Sequence, residues 1–344
     1  MTAAAANDFR LSVLRRWVEE DLGFTASRIA PASADASFRR YFRIRHGGES
    51  YIAMDAPPEK EDLGPFVRVA AMLADIGLNV PLVLARNAAD GLLLLTDLGS
   101  RQYLDVLLAN QGVDRLYADA LAALVTLQTR GAPFLGQLPA YDAALLNREM
   151  ELLPEWFLER HLRLDVSSAQ RSMLDRSFAA ITRAALAQPV TLVHRDFHSR
   201  NLMLVDSGNP GILDFQDAVA GPLTYDLVSL LKDCYVAWPA ARVRQWALGF
   251  RQRLGAAGCA AGADEDEFLR WFDLMGLQRH IKVLGIFCRL YYRDGKAQYL
   301  QDLPRVLQYA TAAAARYPET ADYAEFLRGP VASAFAAAQA RVSA

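Results

Sequence analysis

One stretch, residues 192–215, constrains this chain more than any other: L-V-H-R-D-F-H-S-R-N-L-M-L-V-D-S-G-N-P-G-I-L-D-F. Two short apolar runs, 202–205 and 212–213, flank a turn rich in Ser, Gly, Asn and Pro, which predicts a hairpin. A polar loop carrying His194, Arg195, Asp196, His198, Arg200 and Asn201 precedes the first run, and Asp214 follows the second. A hairpin returns the chain to where it began. Asp196, Asn201 and Asp214 are therefore expected to converge at one end of it. Such oxygen donors suit Mg²⁺, which keeps several waters and completes its shell with substrate phosphates. One carboxylate can stay off the metal and act as a base.

The spacing H-R-D-x-x-x-x-N followed by D-F resembles the catalytic loop and metal-binding segment of the protein-kinase-like phosphotransferases. The resemblance implies Asp196 as catalytic base and Asn201 and Asp214 as metal ligands, with ATP and Mg²⁺ as cofactors. Gln216 stands where that pattern has glycine. The following A-G-P-L-T-Y-D-L, residues 220–227, is similar to an element of the aminoglycoside/choline kinase branch. Members of that branch lack the activation segment of protein kinases, and the few residues between Phe215 and Gly221 leave no space for one. The expected fold is α+β, a protein-kinase-like bilobal fold with a small antiparallel-sheet N-lobe (1–99) and a larger, mostly helical C-lobe (100–344). Asp226, opening an apolar helix, reads as a buried cap or loop clamp.

The 344 residues are 53% hydrophobic with a net charge of −2, a globular and nearly neutral chain. No basic excess points to nucleic acid or an anionic membrane. No apolar run approaches the roughly 20 residues that span a bilayer. Cys234, Cys259 and Cys288 are widely spaced and read as reduced thiols of a cytoplasmic protein. The first residues lack the pattern of a signal peptide, and no obligate protein partner is evident.

Taken in order, residues 9–22 carry an apolar helical stripe, with Asp8 as N-cap and Gly23 as stop. Residues 27–55 turn strand-like around Phe38, 41–45 and 51–54. Between the first two strands lies A-S-A-D-A-S, residues 32–37, where a kinase fold places its phosphate-covering loop. It has no glycine, but backbone amides and the hydroxyls of Ser33 and Ser37 can face phosphate. Arg39 and Arg40 follow, and alternation along a strand turns only one of them toward a nucleotide. The family's third-strand lysine is replaced by Met54, and Val69 sits near the position of its helix glutamate. Losing both halves is cheaper than stranding one charge. It leaves the phosphates needing another cation, Arg39 or Arg40. Residues 82–84 and 92–95 read as two further strands. Thr96, Asp97 and Leu98 then resemble the hinge whose backbone binds adenine.

From residue 100 onward the periodicity is helical, with stretches at 113–127, 145–164, 173–186, 243–254 and 268–292. Two stretches are unusually polar, one around Glu149 and the other around Arg279 and Lys282. Both are either salt-bridged surface or a sugar site.

The segments A-S-F-R-R-Y-F-R, M-D-A-P-P-E, R-E-M-E-L-L-P-E-W-F and L-Q-R-H-I-K-V-L-G-I-F together resemble one subgroup, the anomeric N-acetylmuramate/N-acetylglucosamine kinases of bacterial cell-wall recycling. That resemblance implies phosphorylation of the C1 hydroxyl of an amino sugar. Glu149, Asp217, Arg279 and Lys282 are the candidate substrate-binding groups. His198 either stabilises the transferring phosphoryl group or packs the loop, and Asp217 either reaches the site or opens a helix. Two alternatives stay open: a kinase for another small alcohol of aminoglycoside or choline type, and a non-catalytic nucleotide-binding protein.

Overall fold

The computed structural model describes residues 3–25, 27–34 and 38–343, the side chains of 3–8, 33, 34, 342 and 343 excepted. Helix α1 (Ala3–Arg16) leads into β1 (Arg28–Ala34), β2 (Arg40–His46) and β3 (Glu49–Asp55), then α2 (Leu63–Asp75), β4 (Val83–Asn87) and β5 (Leu92–Thr96). Helices α3 (Tyr103–Leu108), α4 (Val113–Arg130), α5 (Ala143–Met150) and α6 (Ser168–Leu186) follow. Four short strands come next: β6 (Val190–Val193), β7 (Leu202–Met203), β8 (Gly211–Ile212) and β9 (Val219–Pro222). The chain closes with α7 (Tyr225–Leu231), α8 (Ala240–Ala256), α9 (Glu265–Asp294), α10 (Leu303–Ala314), α11 (Ala321–Phe326) and α12 (Ala332–Ser343).

These elements form two compact units, Met1–Tyr103 with Arg200–Asp217, and Leu104–Ser199 with Ala218–Ala344. The first is built on an antiparallel sheet of order β1-β2-β3-β5-β4. Alternation along the strands divides its faces. Phe42, Ile44, Ala53, Leu92 and Leu94 pack on one face against Val13, Leu14, Trp17 and Val18. Tyr41, Arg43, Ile52 and Leu95 point to the other, where a cavity lies. The expected hairpin is β7–β8, with Leu202 opposite Ile212. It belongs to this unit through bridges from Gln102 to Met203 and from Asn79 to Gly211.

Helix α1 starts earlier than the apolar stripe suggests. It begins at Ala3, so Asp8 lies inside it rather than at its cap. The run Ala3–Ala6 has the highest helix propensity of any residue type and carries the helix upstream. The chain then passes through a π-helical turn, Trp17–Asp21, before Gly23 takes a left-handed φ of 73°.

The second unit is mostly helical, and the 30-residue α9 runs through its core, where Leu274, Leu277, Ile281 and Leu284 are buried with Leu153, Phe157 and Leu174. Gly285 is a poor helix former, but a Cβ there would sit 2.4 Å from the backbone of Leu152, so only glycine allows this approach. The single helix expected over 145–164 is two pieces. After α5 the chain goes into a π-helical segment, Leu153–His161, with Pro154 in its first turn, where the missing N–H is tolerated. Strand β9, hidden in the sequence by Gly221 and Pro222, pairs antiparallel with β6, Val193 opposite Val219.

One buried charge ties α1 to the sheet. Asp55 is fully buried and accepts from Arg10 Nε at 2.9 Å and from Arg40 Nε at 3.0 Å. Asp55→Ala leaves two guanidiniums without their counter-charge. Because both are partly solvated, the expected loss of stability is near the lower end for a broken buried pair, about 3 kcal/mol. Chemical denaturation checks it, with Asp55→Asn expected to lose less.

Candidate active site

The first unit holds a cavity of about 260 Å³. One wall is the sheet face of Tyr41, Arg43, Ile52 and Leu95. The segment Thr96–Ser100 forms its edge, and Asn201, Met203, Leu213, Asp214 and Phe215 close it. Thr96, Asp97 and Leu98 all line it. The Asp97 side chain is already engaged: Arg43 Nε donates to it at 2.6 Å, Ser50 Oγ at 2.6 Å and the Gly99 amide at 2.9 Å. Burial pushes this carboxyl up, but Arg43, Ser50 and the Gly99 amide outweigh it and hold it below the usual aspartate value. The Asp97 side chain is thus not open to a ligand at this edge.

Asn201 and Asp214 meet at the β7–β8 end of the cavity. The Leu213 amide donates to the Asn201 carbonyl at 2.9 Å, and Asn201 Nδ2 lies 3.3 Å from Asp214 Oδ2. Gln216, in place of the family's glycine, donates from Nε2 to Asp214 Oδ1 at 2.8 Å. Asp214 has φ 62°, a left-handed conformation that aspartate tolerates better than most residues. Among the described residues no cluster of three or more His, Cys, Asp or Glu side chains forms a metal cage. A carboxylate beside a carboxamide, whose nitrogen here faces Asp214, is still the pair of side-chain types that suits a hard cation taking one or two protein oxygen ligands and filling the rest with phosphate and water.

In the second unit the loop leaving β6 is clamped at both ends by carboxylates. Asp226, in the first turn of α7, accepts the amides of His194 at 2.6 Å and Arg195 at 2.9 Å. Asp233 accepts the amide of Ser199 at 3.0 Å and that of Tyr235 at 2.9 Å. Between these clamps the Asp196 amide donates to His194 Nδ1 at 3.2 Å, while the Asp196 side chain is 40% exposed. Burial pushes the Asp196 carboxyl up, but Lys282, His198, Arg279 and Arg195 outweigh it and leave it below the ordinary value. It is ionised at neutral pH. His198 is buried edge-on to Tyr235, ring centroids 5.4 Å apart, with Nε2 4.0 Å from Asp196 Oδ1.

Glu149 of α5, only 6% exposed, is surrounded by donors. Arg195 Nη2 donates to it at 2.5 Å, Lys282 Nζ lies at 2.9 Å, Gln278 Nε2 at 3.3 Å, and Tyr141 donates its hydroxyl. Lys282 also donates to the Tyr225 hydroxyl at 3.0 Å. Arg279, one turn earlier on α9, reaches only the Cys234 thiol, at 3.5 Å.

The sequence candidates thus sort by place. Asn201, Asp214, Thr96, Asp97 and Leu98 share the cavity of the first unit. Asp196, His198, Glu149, Arg279 and Lys282 lie in the second unit, on or against the 194–199 loop. Asp217 is exposed where the chain leaves the first unit. Arg40 pairs with Asp55 on the α1 side of the sheet, and Arg39 lies 3.7 Å from Glu61, ahead of α2. Neither lines the cavity, whose arginines are Arg43 and Arg200. Ser37 lies outside the described residues, and of Ser33 only the backbone, in β1, is described. Met54 and Val69 are buried and apolar, as expected. Sequence reasoning missed Asp233, Glu61 and Tyr141. The acidic residue just ahead of α2 was the available signal for Glu61; the other two reach the site only through tertiary packing.

This chain belongs to the phosphotransferase enzyme family, whose model matches residues 28–270. It is therefore a kinase-class enzyme. Among curated proteins it is 45% identical to the N-acetylmuramate/N-acetylglucosamine kinase of Pseudomonas putida over 93% of this chain and 96% of that protein. The enzyme of the same name from Neisseria meningitidis is 41% identical over 90% and 92% of the two chains. Solved structures share the fold at low identity. The GDP complex of aminoglycoside 2'-phosphotransferase-IIIa has a TM-score of 0.60 at 16% identity, covering 86% of this chain and 98% of that one. A Plasmodium vivax ethanolamine kinase has a TM-score of 0.59 at 11% identity, covering 88% of each. The expected fold class, a small antiparallel sheet followed by a mostly helical remainder, agrees with both.

Removing Glu149 tests the charge cluster. Burial pushes its carboxyl up, but Lys282 and Arg195 outweigh that and lower it. A carboxylate lowered on folding stabilises the protein above its unfolded value, and that stabilisation is lost as pH falls through the folded value. Wild type should therefore lose more stability on acidification below about pH 4.5 than Glu149→Gln. At pH 7 Glu149→Ala should cost about 3–5 kcal/mol, because two buried cations lose their partner. Denaturant titrations across that pH range check both.

Proposed function

We propose that this chain is an ATP-dependent kinase that phosphorylates the C1 hydroxyl of N-acetylmuramate and N-acetylglucosamine, acting in the cytoplasm in the recycling of peptidoglycan sugars. What carries the substrate reading is the 45% identity to kinases of that name along almost the whole chain. The charge around Asp196 agrees with it. Arg195, Arg279 and Lys282 stand among the carboxylates of Glu149, Asp196, Asp226 and Asp233, a balanced setting rather than the markedly acidic one that a polycationic aminoglycoside calls for. Three free cysteines fit a reducing compartment.

In this reading Thr96–Leu98 hold the adenine of ATP through the backbone, and Asn201 and Asp214 hold Mg²⁺ through oxygen donors. Held there, the ion would supply charge neutralisation for the nucleotide phosphates. Asp196, kept ionised by its cationic surroundings, orients the sugar hydroxyl and takes its proton, an assistance worth roughly 10²–10⁴ in rate. An anomeric hydroxyl is more acidic than other sugar hydroxyls, which eases that transfer. Asp226 and Asp233 keep the loop in shape, and His198 flanks the carboxylate on the same loop.

Two measurements test this. Wild type should release ADP with both sugars and place phosphorus on C1, while methyl glycosides blocked at C1 stay inert. Phosphorylation of a C1-methylated sugar, seen by phosphorus NMR, would overturn the anomeric assignment. Asp196→Asn should keep nucleotide affinity and lose about 10²–10⁴ in turnover, whereas Asp214→Ala should lose Mg·ATP binding. Turnover near wild type in Asp196→Asn would remove the base role.

A further inference from the structure

Helix α9 presents two buried cations one turn apart, and their surroundings differ. Residues i and i+3 share a helix face, so Arg279 and Lys282 look toward the same region. Lys282 is committed: its ammonium lies 2.9 Å from Glu149 Oε1 and donates to Tyr225 at 3.0 Å, in the cluster that also holds Arg195. Arg279 is not. It is 4% exposed, its one hydrogen bond goes to the Cys234 thiol at 3.5 Å, and its Nε is buried with no acceptor. Among the described residues no carboxylate lies within ion-pair distance of it.

A thiol is a weak acceptor, and burial pushes the Cys234 thiol up to about 11, so it stays neutral. A guanidinium out of water that Asp196 and Asp233 reach only from beyond ion-pair distance keeps hydrogen-bonding capacity unmet, and folded chains keep such a group only where something repays it. Cys234 follows Asp233, which holds the Ser199 end of the loop bearing Asp196. A cation with no directly bonded carboxylate therefore borders the same loop as the ionised Asp196.

We infer that Arg279, and not Lys282, is the specificity residue for an anionic substituent on the acceptor sugar, its guanidinium being reserved for a carboxylate that the substrate brings. The inference rests on the sugar-kinase reading, and it names the group that separates the two proposed substrates. They differ by the lactyl ether on O3, which gives N-acetylmuramate a carboxylate where N-acetylglucosamine has a hydroxyl. An arginine can meet that carboxylate with two parallel N–H bonds. Lys282 supports the loop through Glu149 and Arg195, and so serves both sugars alike.

The experiment compares kcat/KM for N-acetylmuramate, its neutral carboxamide and N-acetylglucosamine in wild type, Arg279→Met, Arg279→Lys and Lys282→Met. Wild type should prefer the acid over the amide by tenfold or more. In Arg279→Met that preference should collapse, with N-acetylmuramate losing at least ten times more than N-acetylglucosamine, and Arg279→Lys should restore part of it. Lys282→Met should depress both sugars together and leave the acid-to-amide ratio intact. Equal wild-type rates on acid and amide would overturn the inference without any variant, so misfolding of Arg279→Met cannot shelter it. Equal losses on both sugars in Arg279→Met would overturn it too, pointing to the phosphoryl group instead. Wild-type turnover of N-acetylglucosamine reads the proposed activity separately from this assignment.

Discussion

The buried carboxylate of Asp226 accepts the amides of His194 and Arg195 at 2.6 and 2.9 Å, and the shape of the 194–199 loop follows from those two bonds. Arg195 has φ 78°, a conformation that L residues other than Asn and Asp seldom adopt and that persists only when its surroundings over-determine it. Here they do. The Arg195 amide is held by Asp226 and its guanidinium by Glu149, so backbone and side chain are fixed independently. Burial pushes the Asp226 carboxyl up to about 7 against the pull of the two amides, and the nearby negative charge of Asp196 adds to the rise. The clamp is thus under electrostatic tension: it shapes the loop that carries Asp196, while Asp196 makes its ionisation harder.

The second unit resolves that tension with cations. Lys282, His198, Arg279 and Arg195 hold the Asp196 carboxyl below the usual range although burial acts the other way. A carboxylate among these cations stays ionised at neutral pH, which the proposed role of Asp196 as a base requires. The cost falls on folding, since each buried cation needs its counter-charge. Glu149 provides it for two of them. That is why a residue whose sequence setting reads as a sugar contact is enclosed by Tyr141, Gln278, Lys282 and Arg195 instead.

Much of this could be read from the sequence where the cause is local. The turn composition between residues 205 and 212 sets the hairpin, and the hairpin sets the meeting of Asn201 and Asp214. The place of Asp226 ahead of an apolar helix announced a clamp, and a clamp is what it forms. Other features depend on residues far apart in the chain, which no window of sequence reports. Asp55 finds Arg10 from α1 and Arg40 from the neighbouring strand. Glu149 finds Lys282 more than half of the second unit later. Helix ends failed for a different reason, since Ala3–Ala6 extend α1 by propensity with no apolar stripe to mark them. Pro154 was visible, but its position in the first turn of a new π-helical segment was not.

The missing lysine–glutamate pair shows how the first unit redistributes charge. Met54 is fully buried opposite Leu93, and Val69 is buried in α2, so a lone charge at either position would be stranded in an apolar setting. Ion pairing has moved outward instead. Arg39 lies 3.7 Å from Glu61, whose other oxygen accepts the Phe38 amide at 3.1 Å, linking the start of β2 to the approach of α2. Arg43, on the cavity face of the same strand, is bound bidentately to Asp97 and also donates to the Gly99 carbonyl at 2.7 Å. That pair stiffens the hinge-like segment rather than leaving its cation to a ligand. With Arg40 turned toward Asp55 and Arg43 tied to Asp97, the proposed nucleotide site would rely for charge neutralisation on Arg200, which also lines the cavity, and on a cation that Asn201 and Asp214 would hold. A phosphate site of that proposed kind would depend more steeply on its metal than one that carries a lysine in the wall, because each phosphate oxygen not met by a side chain must be met by the ion or by water.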